Sequence, residues 1–84
     1  MTTPVRFALC GTGFIARLHA GAIAATPGTE LVAVHNHRRE TLAAFTADHP
    51  VPFATTDWEE LVDLVRSGGV DVAVVATPNA LHAA

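Results

Sequence analysis

The chain has 84 residues and not one lysine; all five of its basic residues other than histidine are arginines. Without lysine there is no Gly-x-x-x-x-Gly-Lys loop, which excludes Walker-type nucleoside triphosphate binding. A single cysteine, Cys10, excludes an internal disulfide. It falls at the end of the first predicted strand and reads as a small buried apolar residue, because the one basic neighbour available to activate it as a nucleophile is His35. A reducing cytoplasm suits such usage. No apolar run approaches the roughly 18 residues that a membrane-spanning helix needs. The opening Met1-Thr2-Thr3-Pro4 has neither a positive stretch nor an apolar core, so no secretory signal is expected there. Basic residues are too few and too scattered for a nucleic-acid surface: five against eight acidic ones give a formal charge of -3.

Half of the residues are hydrophobic, mostly alanine, valine and leucine, which suits a parallel sheet buried on both faces. The length allows one small domain that buries roughly 60–65% of its unfolded surface, a thin margin of stability. There is no internal repeat, linker or low-complexity segment. Strand-like runs alternate with helical patterns. Residues 5–10 read as a strand, about Phe14 to Thr26 as a helix, 30–36 as a strand and about Arg38 to Ala47 as a helix. Val51 to Ala54 reads as a short strand whose Pro52 suits a sheet edge. Asp57 opens a third helix and can cap it, with Glu60 placed to reach back in a capping box. Ser67-Gly68-Gly69 closes that helix. Residues 70–76 form the most apolar strand, Thr77-Pro78-Asn79 ends it, and a fourth helix is expected near Leu81. The first helix is apolar nearly all round, with Ile15, Leu18 and Ala22 on one stripe and Ala16, Ala20 and Ile23 on another, so it should be covered on most sides. Leu42 and Phe45 should face inward in the second helix, and Leu61, Leu64 and Val65 in the third.

Such alternation with short connections predicts an α/β fold, a Rossmann-like doubly wound parallel sheet of strand order 3-2-1-4 with helices on both faces. In that order the ligand crevice lies at the carboxyl ends of strands one and four.

The first strand stops at Gly11-Thr12-Gly13-Phe14-Ile15-Ala16, a Gly-x-Gly-x-x-Ala turn facing a helix N-terminus. Gly11 permits the tight turn, Gly13 lets a pyrophosphate approach the backbone, and Ala16 allows close packing of helix on strand. Free N–H groups and the positive helix end attract a dinucleotide diphosphate. The motif alone is weak; a strand, helix, second strand and polar residue at the right distance strengthen it. That polar residue is Asn36, where an NAD site usually has an acid for the ribose hydroxyl. His37, Arg38 and Arg39 follow it, crowding positive charge onto a helix N-terminus that the macrodipole disfavours. A bound 2′-phosphate would repair this, so NADP is the expected coenzyme, with NAD possible; the alternative is two solvated arginines offset by Glu40. Thr77, Pro78, Asn79 and His82 form a second polar stretch at the expected crevice, read either as a ligand loop or as a helix cap with a surface histidine.

Taken together, Gly-x-Gly-x-x-Ala, His19 in the first helix, Leu-Val-Ala-Val in the second strand, Thr56-Asp57-x-Glu59-Glu60-Leu61 and Val-Ala-Thr-Pro-Asn-x-x-His resemble the Gfo/Idh/MocA oxidoreductases along essentially all 84 residues. The resemblance implies hydride transfer between a nicotinamide dinucleotide and a sugar, cyclitol or similar small alcohol. It places Gly11, Gly13, Phe14 and Ile15 at the pyrophosphate loop, with Thr12 between the glycines. It puts Asn36 and Arg38 at the adenosine ribose, and Thr77, Pro78, Asn79 and His82 beside the nicotinamide. His19 is read as structural. The family's catalytic lysine, in a Glu-Lys-Pro motif after the next strand, has no counterpart here, nor has the substrate domain. Residues 1–84 are thus expected to be the N-terminal part of a NAD(P)-binding domain, inactive alone, with no catalytic residue and no metal site. A non-catalytic nucleotide-binding module or redox sensor remains an alternative. A methyltransferase-like Rossmann protein is a third reading, disfavoured by Asn36 where an acid is usual. The apolar fourth strand, left as a sheet edge, is expected to promote dimerisation or aggregation.

Overall fold

A computed structural model describes residues 3–75. They form β1 (Val5–Cys10), α1 (Phe14–Ala25), β2 (Thr29–His35), α2 (Arg39–Asp48), β3 (Phe53–Thr55), α3 (Trp58–Arg66) and β4 (Val72–Val75). The strands make one parallel sheet ordered β3-β2-β1-β4, as the alternation predicts. The expected fourth helix and the 77–82 stretch lie outside the described residues.

The two faces of the sheet carry separate cores. On one, Leu9 of β1 and Val34 of β2 pack with Ala16 and Ala20 of α1 and Leu42 and Phe45 of α2. On the other, Ala8, Cys10 and Ala33 pack with Leu61 of α3 and Val70. Side chains of a strand alternate between faces, so adjacent residues such as Ala8 and Leu9 serve different helices. The β1–β2 register breaks once: Phe7 pairs with Leu31 but Ala8 with Ala33, leaving Val32 as an extra residue in β2. This bulge sets Val32 and Ala33 together on the α3 side.

Alanines govern the approach of α1. Ala16 and Ala20 are buried against the sheet with Ile23, whereas Phe14, Ile15 and Leu18 stay exposed. The helix therefore buries one apolar stripe, not the two that its composition suggested, because the described residues place nothing against its outer side. α2 buries Leu42 and Phe45 as expected. In α3 only Leu61 is fully buried, with Leu64 half-buried and Val65 exposed. Arg17 joins α1 to α2: its guanidinium donates to Asp48 at 2.7 Å and lies 5.5 Å from the centre of the Phe45 ring.

The ends of the helices have local causes. Thr26 ends α1, its hydroxyl donating back to the Ala22 carbonyl at 2.6 Å, and Pro27-Gly28 turns the chain into β2. α3 closes as its sequence predicts: the Gly69 and Gly68 N–H groups bond the Leu64 and Val65 carbonyls. Its start differs from a capping box. The Asp57 side chain accepts from the Glu59 N–H at 2.9 Å, but the Asp57 N–H goes to the Thr55 hydroxyl, which in turn donates to Glu60. Thr55 takes the place in the box that Glu60 was expected to fill, because β3 runs to Thr55 and brings that hydroxyl against the helix start. β3 is correspondingly displaced to 53–55, so Pro52 precedes the edge strand.

Asp71 fastens β4 to β1. It accepts from the Arg6 backbone N–H at 2.8 Å and from the guanidinium at 3.2 Å, and its own N–H returns to the Arg6 carbonyl. These bonds from Arg6 hold the Asp71 carboxyl below the usual carboxylate range. The pair is solvent-exposed, so its contribution is small; it is present above the unfolded carboxylate pKa and fades as the pH falls through the folded one.

Stability should distinguish the two apolar surfaces of the first core. Phe45→Ala, at a site with no exposure, should cost about 3–5 kcal/mol or unfold the domain outright. Leu18→Ala, at a site 55% exposed, should change stability by about 0.5 kcal/mol or less in urea denaturation. A large loss from Leu18→Ala would show that the outer stripe of α1 is covered after all.

Candidate functional site

β1 and β4 are neighbours, yet α1 leaves β1 on one face of the sheet and α3 reaches β4 on the other. The carboxyl ends of the two strands, with Cys10 beside Val75, therefore lie where a sheet of this order is expected to open a crevice. The loop of Gly11, Thr12 and Gly13 bounds it on the β1 side.

Gly11 is buried at φ 113°, a conformation that a side chain resists, and its N–H donates to the His35 carbonyl at 2.8 Å. The strand thus stays bonded to β2 while the chain swings away towards α1. Gly13 is the N-cap of α1, with φ -77° and ψ -165°. Any residue could adopt that backbone; what its lack of a side chain does is keep the surface clear, since a Cβ built there would meet no atom within 4 Å. Among the described residues no side chain caps α1, and no acid stands in its first turn, so the N–H groups of that turn and the positive dipole end have no side-chain acceptor there. These are the requirements of a diphosphate, and the loop fits one. Phe14 and Ile15, also candidates, sit in this turn with their side chains in solvent.

Thr12 behaves differently. It is only 4% exposed, and its hydroxyl accepts from the Asn36 side-chain amide at 2.6 Å. Asn36 follows β2 directly, and its side-chain Oδ1 accepts from the Arg38 N–H at 2.7 Å, an Asx turn that sets Arg38 as the N-cap of α2. Arg38 is extended at φ -106° and exposed, with Arg39 beside it and Glu40 as the acid of the first turn. Among the described residues neither arginine side chain makes an ion pair or hydrogen bond. The structure thus brings Gly11, Thr12, Gly13, Asn36 and Arg38 into one continuous loop system, with Phe14 and Ile15 at its outer margin. Thr77, Pro78, Asn79 and His82 lie outside the described residues.

Two contacts at this end of the sheet were not foreseen. The first is the Thr12–Asn36 bond; a hydroxyl within a glycine turn and an amide 24 residues later are compatible with it, but only strand pairing brings them together. The second is the edge-on packing of the Trp58 and His35 rings, with centres 5.3 Å apart, which joins the start of α3 to the end of β2. Cys10 lies buried in the adjacent strand, and that burial raises its thiol pKa. This keeps it protonated and suits the structural reading of it. No cluster of metal-ligating side chains occurs among the described residues.

A family model described as an oxidoreductase family with an NAD-binding Rossmann fold, GFO_IDH_MocA, matches residues 5–84. A scyllo-inositol 2-dehydrogenase (NADP(+)), IolU of Bacillus subtilis, is 32% identical over 78 residues, which are 93% of this chain and 23% of that protein. The WlbA dehydrogenase of Bordetella pertussis, solved in complex with NADH and UDP-GlcNAcA, superposes with a TM-score of 0.78 at 32% identity over 98% of this chain and 23% of the other. A putative NADPH-dependent oxidoreductase of Desulfitobacterium hafniense shares the fold, with a TM-score of 0.79 at 24% identity over 94% of this chain and 22% of its own. The chain thus spans less than a quarter of the length of these relatives.

The two glycines should respond in opposite ways. Gly11→Ala should destabilise the domain by about 1 kcal/mol or more, because of its positive φ. Gly13→Ala should leave the melting temperature almost unchanged, having room for the methyl, yet weaken coenzyme binding in a fluorescence titration with NADPH. Undiminished binding by Gly13→Ala would remove the loop as the diphosphate seat.

Proposed function

Because the chain belongs to the Gfo/Idh/MocA oxidoreductases, with their NAD-binding Rossmann fold, we propose that residues 1–84 are the N-terminal, coenzyme-binding part of a dehydrogenase acting on a sugar, cyclitol or related small alcohol. The observation that carries this reading is the bare, uncapped turn at Gly13, open to an anion at the head of α1. The diphosphate would take the N–H groups of Gly13, Phe14 and Ile15. Since the Thr12 hydroxyl is turned inward to Asn36, that residue would offer the coenzyme its main chain. When bound, the nicotinamide supplies the hydride acceptor or donor; the chain's own residues hold and orient it.

We further propose that NADP is the preferred coenzyme. An acid that would repel a 2′-phosphate is missing at Asn36, and Arg38 and Arg39 stand exposed at the start of α2 without side-chain partners among the described residues. An arginine makes paired hydrogen bonds to phosphate oxygens, and the phosphate would relieve positive charge that the helix dipole opposes. The B. subtilis relative named above carries NADP(+) in its name. Thr77, Pro78, Asn79 and His82 are proposed for the nicotinamide side on the strength of their family motif. The lysine that protonates or deprotonates substrate in the family has no counterpart in these 84 residues, so the chain by itself should not turn over.

No helix among the described residues is long and apolar enough to cross a membrane. A cytoplasmic location is proposed from the buried, unpaired Cys10 and from the coenzyme.

Coenzyme choice is open to direct measurement. NADP(H) should bind more tightly than NAD(H). Arg38→Ala should weaken NADP(H) about ten- to hundredfold, the worth of charge-assisted hydrogen bonds, while changing NAD(H) by less than about threefold. Equal losses for the two, or none, would reject the 2′-phosphate assignment.

A further inference from the structure

We propose that Asn36 acts as a clamp that holds the diphosphate loop and the Arg38 turn in one register, and so sets the distance between the two anion seats. This rests on the coenzyme reading above. Three parts of the chain converge on Asn36. Its side-chain N–H donates to Thr12 Oγ1 at 2.6 Å, its side-chain oxygen accepts from the Arg38 N–H at 2.7 Å, and its backbone N–H donates to the Thr55 carbonyl at 3.3 Å. One residue earlier, the His35 carbonyl receives the Gly11 N–H at 2.8 Å. The glycine loop, the start of α2 and the end of β3 are thus tied at a single position.

The chemistry of the side chain suits the task. A clamp between a hydroxyl and a backbone N–H needs two hydrogen-bonding ends on one short, planar group, and here the carboxamide donates at one end and accepts at the other. A carboxylate could accept from the Thr12 hydroxyl instead, but it would set a negative charge beside the proposed 2′-phosphate. Serine and alanine cannot span both partners. The diphosphate and the 2′-phosphate are joined covalently in NADP, so the ligand fixes how far apart their seats must lie. Holding those seats at that separation before binding removes an ordering cost that the ligand would otherwise bear.

Thr12 separates a clamp from a direct contact. Its side chain is buried, so Thr12→Val removes the bond to Asn36 without removing an exposed side-chain contact to the coenzyme. The decisive measurement is a double-mutant cycle, titrating NADPH and NADH into wild type, Thr12→Val, Arg38→Ala and the double variant. With one neutral hydrogen bond at stake, Thr12→Val should weaken NADPH about three- to tenfold and shrink the Arg38→Ala penalty by a similar factor. Thr12→Ser, which keeps the hydroxyl, should restore both. If Thr12→Val binds both coenzymes as wild type does, the clamp is refuted. It is equally refuted if NADPH and NADH weaken alike and the Arg38→Ala penalty is unchanged, as a merely structural role would give. Hydrogen exchange without coenzyme gives an independent reading: the Arg38 amide should be protected in wild type and lose protection in Asn36→Ala, and an unprotected wild-type amide would refute the clamp. A wild-type chain with a protected Arg38 amide that binds neither coenzyme would instead overturn the assignment of the site, and with it the role of the clamp in spacing the two phosphates.

Discussion

The structure depends on how the chain leaves the carboxyl end of β1. A strand buried on both faces has to end, turn and enter a helix that packs back on the same sheet, all within three residues. Gly11 achieves this by adopting φ 113° while its N–H remains bonded to the His35 carbonyl, so no buried donor is lost at the turn. Ala16 and Ala20 then let α1 lie close against Leu9 and Val34. A larger residue at either alanine would lift the helix and its first N–H groups away from the crevice. The geometry of the candidate anion seat is therefore a consequence of packing in the core directly beneath it.

Electrostatics and connectivity meet at the second turn. β2 ends beside β1, so Asn36 emerges next to the glycine loop, and α2 begins one residue after Arg38, whose amide is fixed by the Asn36 side chain. Two arginines at a helix start, with Glu40 as the acid of the first turn, are an unfavourable local arrangement when nothing binds there. Local rules broken without internal compensation are a feature of binding sites, and here the fault lies beside a helix end that is itself left uncapped. The two anomalies are joined through the Thr12–Asn36 bond, which ties the loop before α1 to the turn before α2.

Much of this was legible in the residues. Alternation of apolar runs with helical periods, punctuated by Gly, Pro and Asp, predicts the element order. Right-handed crossover then leaves 3-2-1-4 as the natural strand order, and the sheet has that order. Gly11 was legible because a tight turn after the strand calls for a residue free to take positive φ, and Gly13 because its place in the motif marks a candidate approach for an anion. Asn36 and Arg38 were legible as an absence of acid followed by an excess of base. The amphipathic face of α1 was less so: its alanines and its larger apolar residues look equivalent in composition, and only contact with the sheet selects the stripe at Ala16, Ala20 and Ile23. The start of α3 misled for a similar reason. A capping box is a pattern within one segment, whereas the hydroxyl that took its place comes from β3.

What the sequence determined by itself is therefore everything that operates over a few residues: the turns, the helix stops, the alternation that makes a parallel sheet, and the chemical character of the two candidate anion seats. Tertiary structure decided which of these meet. The bond between Thr12 and Asn36 joins residues 24 positions apart, and the pairing of Thr55 with His35 brings a third segment to the same point. Such contacts follow from strand register, including the extra residue at Val32, and register is settled by burial on both faces of the sheet at once. No local pattern contains that information, because the free energy that selects it belongs to two cores packed against a shared layer.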